Sequence, residues 1–162
     1  MLQAVDSAAA PAADARRQRW LRVLARAPVS QLAQALANVP RDGITWLRPA
    51  EVGLMMVRAR VGGTGDRFNL GEMTVTRCAV RVVEPGGEVL VGIGHVRGRS
   101  LRQAELVALA DALMQSPMHA AQLQQELLNP VEQTLAADDA RRARQAQATR
   151  VEFFTVARES AA

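Results

Sequence analysis

The sequence predicts an α+β fold, an antiparallel β-sheet of about four to five strands packed with helices from the N-terminal and C-terminal segments. Three observations predict it. Apolar residues recur at helical spacing in the first forty residues. From Ile44 to Arg97 the spacing becomes that of strands rich in valine, threonine and methionine, broken by glycine clusters. After Ser100 the helical period returns. A chain of 162 residues suits one hydrophobic core, so we expect a disordered arm over 1–13 and a single α+β domain over 14–162.

Each element has a local reason. The alanine- and proline-containing start is aperiodic, and Asp14 is placed to cap a helix reaching about Ala27. Its Trp20, Val23, Leu24 and Ala27 mark the buried face. Ser30 is placed to cap a second helix with Leu32, Leu36 and Val39 inward, closed by Pro40 and the Asp42-Gly43 turn. Strands follow over 44–48, 51–61, 73–84 and 88–97, and Glu84-Pro85-Gly86-Gly87-Glu88 suits a tight hairpin. Ser100-Leu101-Arg102-Gln103 has the capping-box pattern and opens a helix to about Gln115, with Leu106, Leu109, Ala110 and Leu113 on one face. Ala104, Ala108 and Asp111 make a small-residue strip beside it, and Gly92 and Gly94 leave a bare strip on a strand; each admits a close backbone. Further helices are expected over 117–128 and 130–147, the latter capped by Asn129, with a closing strand at 151–156.

Composition narrows the function classes. The hydrophobic fraction is 49%, but thirty residues are alanine and only five are aromatic, so the core is thinner than that fraction suggests. All twenty basic residues are arginine, and the net charge is +4. Sixteen acids are interleaved with them, so sequence-independent nucleic-acid binding is an alternative reading rather than the first. The single Cys78 has no internal disulfide partner, and the N-terminus lacks a signal-peptide pattern. No stretch approaches 18 apolar residues. A cytoplasmic protein is expected.

The glycine-rich stretch Val61-Gly62-Gly63-Thr64-Gly65-Asp66-Arg67-Phe68 is the main candidate site. A Walker loop would need lysine and a hydroxyl residue after Gly65, and a dinucleotide fingerprint would need a glycine where Phe68 stands; neither is present. What remains is a bend between strands, whose N–H groups at Gly63 and Gly65 and adjacent Arg67 suit an anion. Arg58 and Arg60 alternate with Val57, Ala59 and Val61, and Arg77 and Arg81 share a side of the next strand, which implies a sheet face studded with arginine; whether the two sets align depends on register, which the long intervening loop does not fix. These seven residues are the candidates for anion binding or partner docking.

Catalytic and metal signatures are absent from the pattern. His95 and His119 lie far apart without cysteine or carboxylate at metal spacing. His95 reads as an ordinary strand residue and His119 as an exposed helical one. Arginine neighbours could lower the pKa of Cys78, but its alternation with Val80 and Val82 reads as core. Glu105 and Asp111 are about 120° apart around a helix and form no acid–base pair. Arg141, Arg142, Arg144 and Arg150 lack interleaved aromatics and read as a solvated helix rather than a nucleic-acid groove.

Five segments in order, RARVGGTGDRF (58–68), TRCAVR (76–81), GRSLRQAE (98–105), ALADALMQ (108–115) and RVEFFTVAR (150–158), resemble the PhnG family, the small subunit of the bacterial carbon–phosphorus lyase core complex. The resemblance spans about residues 17–158. It implies an accessory subunit, not catalytic alone, of the assembly that makes α-D-ribose 1-methylphosphonate 5-triphosphate by displacing adenine from ATP with a phosphonate. ATP and alkylphosphonate are then substrates of the complex, with no cofactor held by this chain. The implied partners are PhnI most directly, with PhnH, PhnJ and PhnL. One departure is Gln103-Ala104-Glu105, where the family pattern leads us to expect His-Ala-Glu.

Overall fold

A computed structural model describes residues 10–150 of the chain. Five helices and three strands follow in the order α1 (Ala10–Leu24), α2 (Val29–Ala35), β1 (Ile44–Arg60), β2 (Arg67–Val83), β3 (Val89–Arg97), α3 (Leu101–Leu113), α4 (Pro117–Leu123) and α5 (Asn129–Ala148). The strands form one antiparallel sheet in sequence order, β1-β2-β3. The fold is α+β as expected, with fewer strands than the four to five predicted.

The difference arises at Pro49. A proline cannot donate to a ladder, and the sequence reading split the chain there into two strands. In the sheet β1 lies at an edge, where a missing N–H is tolerated. The register shifts between Trp46 and Arg48 and again between Arg48 and Glu51, so the strand bulges through Pro49 and Ala50 and continues. The closing strand expected over 151–156 lies outside the described residues.

Helix starts also differ from expectation. Helix α1 already runs from Ala10, so Asp14 sits inside it rather than capping it; residues 1–9 of the expected arm lie outside the described residues. Pro28, not Ser30, precedes α2, and no side chain caps that end. Asn129 is not a cap either: a π-helical turn, Gln124–Leu128, joins α4 to α5 without a break. The Glu84–Glu88 hairpin forms with Gly87 N–H donating to Glu84 O at 2.8 Å. Its positive φ falls on Gly87 (83°).

Helix α3 is the centre of the molecule. It lies between the sheet on one side and α1, α2 and α4 on the other, and residues 106–113 are all buried. Ser100 caps it as predicted, accepting from the Gln103 N–H at 3.2 Å. Gln103 does not reach back to complete the capping box. Its amide donates to the carbonyls of Ala25 (3.4 Å) and Ala27 (3.0 Å), satisfying acceptors left free just beyond the end of α1. The two small-residue strips meet: a Cβ on Gly92 would stand 1.9 Å from Ala108 O, and one on Gly94 2.1 Å from Ala104 O. Helix backbone lies directly on strand backbone, which only glycine allows.

Asp111 closes this packing. Its carboxylate is fully buried and accepts from Trp20 Nε1 (2.7 Å), from Arg17 at both oxygens (3.2 and 2.7 Å) and from Ile93 N–H (2.9 Å). A buried charge is tolerated when paired and hydrogen-bonded in this way. Arg17 also donates to Val91 O at 3.0 Å, tying α1 to β3.

Two stability predictions follow from this geometry. Gly94→Ala must push α3 off the sheet, and overpacking of that kind typically costs about 1–3 kcal/mol or more. Gly53→Ala, with no atom within 4 Å of the new Cβ, serves as the control and is expected to change little. Urea unfolding midpoints of the two variants measure the difference. Asp111→Asn is expected to cost about 3–5 kcal/mol by leaving Arg17 without its counter-charge and setting amide hydrogens against the donors around it; the same urea titration reads it.

Candidate functional site

Strands β1 and β2 are 17 residues long and β3 is nine. The last residue of β3, Arg97, faces Val75. Past that point β1 and β2 continue alone, from Leu54 opposite Thr74 to Arg60 opposite Arg67. At ~3.3 Å per residue this two-stranded arm projects roughly 20 Å from the body. The glycine bend is its tip.

The tip is held by its own backbone. Val61–Gly63 forms a 3₁₀ turn in which Gly62 (φ 56°) and Gly63 (φ 83°) adopt left-handed conformations open to glycine. The N–H groups of Thr64 and Gly65 both donate to Val61 O, the latter at 2.8 Å. A Cβ on Gly65 would stand 2.9 Å from that same oxygen. These two N–H groups are therefore spent inside the turn, and the cationic character of the tip comes from side chains. Arg60 donates to Gly65 O at 3.0 Å, which braces the tip against its own strand.

Five of the seven candidates, Arg58, Arg60, Gly63, Gly65 and Arg67, are thus brought together at the end of the arm. Arg60 and Arg67 are direct cross-strand partners, and Arg58 faces Asn69. Like charges opposite one another repel. No carboxylate forms an ion pair with these three arginines among the described residues. Asp66 is exposed beside them without pairing.

Arg77 and Arg81 belong elsewhere. They lie about 30 Å or more along β2 from Arg67. Arg77 donates to Glu51 Oε1 at 2.7 Å, and Arg48 approaches the same oxygen at 3.7 Å. Alternation places Arg77 and Arg81 on the side of the sheet away from α3, because Cys78, Val80 and Val82 between and beyond them are buried beneath that helix. Counting along β1 from Glu51, which faces Arg77, puts Arg58 and Arg60 on the other side. The sequence leaves open whether the two strands' arginines align, and the register puts them on opposite sides. A register that the sequence could not supply separates them.

The sequence reading missed the apolar half of the arm. Leu54, Met55, Met56, Phe68 and Leu70 are all exposed, Leu54 by 66%. Counting along β1 puts Leu54 and Met56 on the face of Arg58 and Arg60 and Met55 on the other, so exposed apolar side chains and arginines share the ribbon. The signal was present as the Met55-Met56-Val57 run, but alternation alone does not show that this end of the ribbon has no helix to cover it. His95 is exposed on β3 opposite Arg77. His119, expected to be exposed, is half-buried on α4. Along α5, Arg141 and Arg142 pair with Asp138 (3.0 Å) and Asp139 (3.8 Å) one turn away, on an exposed helix as expected. Among the described residues, no three histidine, cysteine or carboxylate side chains come together to hold a metal ion, and no helix is long and apolar enough to cross a membrane.

Fold and arm together define an α+β protein that presents a basic, apolar-sided hairpin beyond a helix-covered sheet. A family model described as "Phosphonate metabolism protein PhnG" matches residues 15–159. The "Alpha-D-ribose 1-methylphosphonate 5-triphosphate synthase subunit PhnG" of Rhizobium meliloti (strain 1021) is 42% identical over 145 residues, covering 89% of this chain and 90% of the relative. The chain belongs to the PhnG family.

Cys78 lies in the core, as its alternation implied, and its arginine neighbours in sequence point away from it. Its thiol approaches Arg48 O at 3.4 Å. Burial, with a smaller contribution from the Glu105 charge, pushes its pKa up to about 11. The sign is opposite to activation: thiolate appears only as pH rises toward that value. At pH 8 the native chain is expected to react with a disulfide reagent such as DTNB at least ~100-fold more slowly than the urea-unfolded chain. Stopped-flow absorbance on the two states checks this, and comparable rates would remove the burial argument.

Proposed function

We propose that this chain is a subunit of α-D-ribose 1-methylphosphonate 5-triphosphate synthase and serves the breakdown of organic phosphonates in the cytoplasm. The observation that carries the reading is the 42% identity to a subunit of that name over nine-tenths of both chains, supported by the family match across residues 15–159. ATP and an alkylphosphonate are the substrates of the assembly, the phosphonate displacing adenine at the ribose. The chain itself contributes no cofactor and no catalytic group. Its direct partner in this reading is PhnI, with PhnH, PhnJ and PhnL completing the machinery.

The arm supplies the physical role. Arg58, Arg60 and Arg67 lack ion-pair partners among the described residues, and apolar side chains flank them, so the surface suits a protein partner with acidic groups around an apolar seat. A purely electrostatic binder of polyanions has no use for exposed Leu54, Met56 and Leu70. Arg67, with Arg60 opposite it, is also placed to favour a phosphate or phosphonate anion carried at the junction. Arg77, already neutralised by Glu51, contributes less.

Replacing Arg58, Arg60 and Arg67 together by alanine is expected to abolish growth on methylphosphonate as the sole phosphorus source. It should also remove the chain from a co-expressed PhnI complex at physiological salt, where exposed charges beyond about 8 Å are screened. Thermal unfolding of the variant should stay within a few degrees of the parent, because the three side chains are exposed. Arg77→Ala is the internal control, with growth near normal. Wild-type growth and unaltered co-purification by the triple variant would remove the arm from the interface. Independent elution of the unaltered chain and PhnI would remove the subunit reading itself.

A further inference from the structure

At the opposite end of the sheet from the arm lies a second feature, which does not depend on the proposed subunit role. Where the segment 39–43, the end of β2 and the start of α4 meet, a cavity of about 540 Å³ opens. That volume is in the range of small-molecule sites, roughly 300–1,000 Å³. Val82, Leu113 and Met118 give it apolar walls. Its polar lining is acidic: Glu84 and Asp42 are carboxylates, His119 is an imidazole, and no arginine lines it.

Glu84 is the informative residue. Its side chain is only 7% exposed, and its Oε1 is buried with no hydrogen-bond partner among the described residues. The nearest opposite group is His119 Nε2 at 3.7 Å, close enough to attract and too far to donate. The hairpin fixes the backbone from which this side chain projects, since Glu84 N–H donates to Glu88 O at 2.9 Å and Glu84 O accepts from Gly87 N–H. Desolvating a carboxylate oxygen without supplying a donor is unfavourable, so native proteins give such atoms a partner. A donor carrying positive charge suits it, because a second carboxylate lines the same space and no arginine does.

We propose that this cavity binds an alkylammonium group, whose nitrogen pairs with the Glu84 carboxylate while its hydrocarbon stem lies against Val82, Leu113 and Met118. The stem gains from burial on the apolar walls, and the ammonium supplies the donors that the chain does not. The site is opposite in charge preference to the arginine tip. A ligand here is therefore recognised independently of any phosphate or phosphonate at the arm.

The test uses the full-length, ¹⁵N-labelled chain titrated at constant ionic strength with n-butylammonium chloride and, as the charge-reversed match, sodium butyrate. Saturable shifts of the Gly43, Val83 and His119 amides are expected with butylammonium, and at least ten-fold weaker ones with butyrate. Glu84→Gln keeps the shape and removes the charge; it is expected to weaken butylammonium at least ten-fold. Met118 is 70% exposed at the mouth, so Met118→Arg should fold normally and should also abolish the shifts, which keeps the test decisive if the Gln variant unfolds. Nα-acetyl-lysine methylamide distinguishes the source of the amine: tighter binding than butylammonium assigns the site to a lysine of a partner chain, weaker binding to a free amine. Equal response to butyrate, saturation at residues remote from the cavity, or unchanged affinity in either folded variant overturns the proposal.

Discussion

One buried carboxylate fixes the relation between parts of the chain that lie more than ninety residues apart. Asp111 receives Arg17 and Trp20 from α1 and the Ile93 N–H from β3 while standing on α3. A helix packed only by apolar contact can slide or rotate at little energetic expense, because such contacts are not directional. Four donors aimed at one carboxylate are directional. They set the rotation of α1 on α3 and the height of both over β3. The arrangement is stable because each component satisfies another: the charge is matched by Arg17, and the strand N–H is one that β2 does not use.

The same interaction explains the glycines of β3. For the carboxylate to reach Ile93 N–H at 2.9 Å, the α3 backbone must come within van der Waals contact of the strand. Gly92 and Gly94 flank Ile93, and Ala104, Ala108 and Ala112 face them. Small residues on both elements and the acid between them form one device. Close approach also leaves β3 short, since the chain must turn at Gly98 and Ser100 to place α3 over the strand it has just left. The nine residues of β3 cannot cover the seventeen of β1 and β2, and the excess becomes the arm.

Much of this was legible in the sequence. The buried face of α1, the Ser100 cap, the two small-residue strips and the glycine-permitted bend are each written in the local pattern of residue types, and each was read correctly. The fold class followed from the change of period at Ile44 and Ser100. What failed depended on pairing. Pro49 ended a strand in the reading and bulges an edge strand in the sheet, and only its position at the edge makes the difference. Whether Arg58 and Arg77 share a face could not be read, because alternation gives each strand two sides without saying which sides meet. Asp111 was noted as a small neighbour of Ala104 and Ala108, and nothing within its own helix reveals that Arg17 and Trp20 come to it. Gln103 was read as half of a capping box, yet its amide serves the carbonyls after α1, a partner seventy-six residues away.

The distribution of charge bears on what the arm is for. In the body several arginines are paired, Arg17 with Asp111, Arg77 with Glu51, Arg141 and Arg142 with the acids of α5, while others, Arg81 and Arg97 among them, form no ion pair among the described residues. The arginines of the arm tip have no such partners among the described residues, and Arg60 and Arg67 are held opposite one another despite their repulsion. An isolated two-stranded ribbon is marginal in water, and this one also exposes five large apolar side chains. Repulsion, exposure and marginal pairing would all be relieved by a surface that is apolar at its centre and acidic at its rim. The arm is thus the part of the described molecule with most to gain from association, and the directional packing around Asp111 orders the body from which it projects.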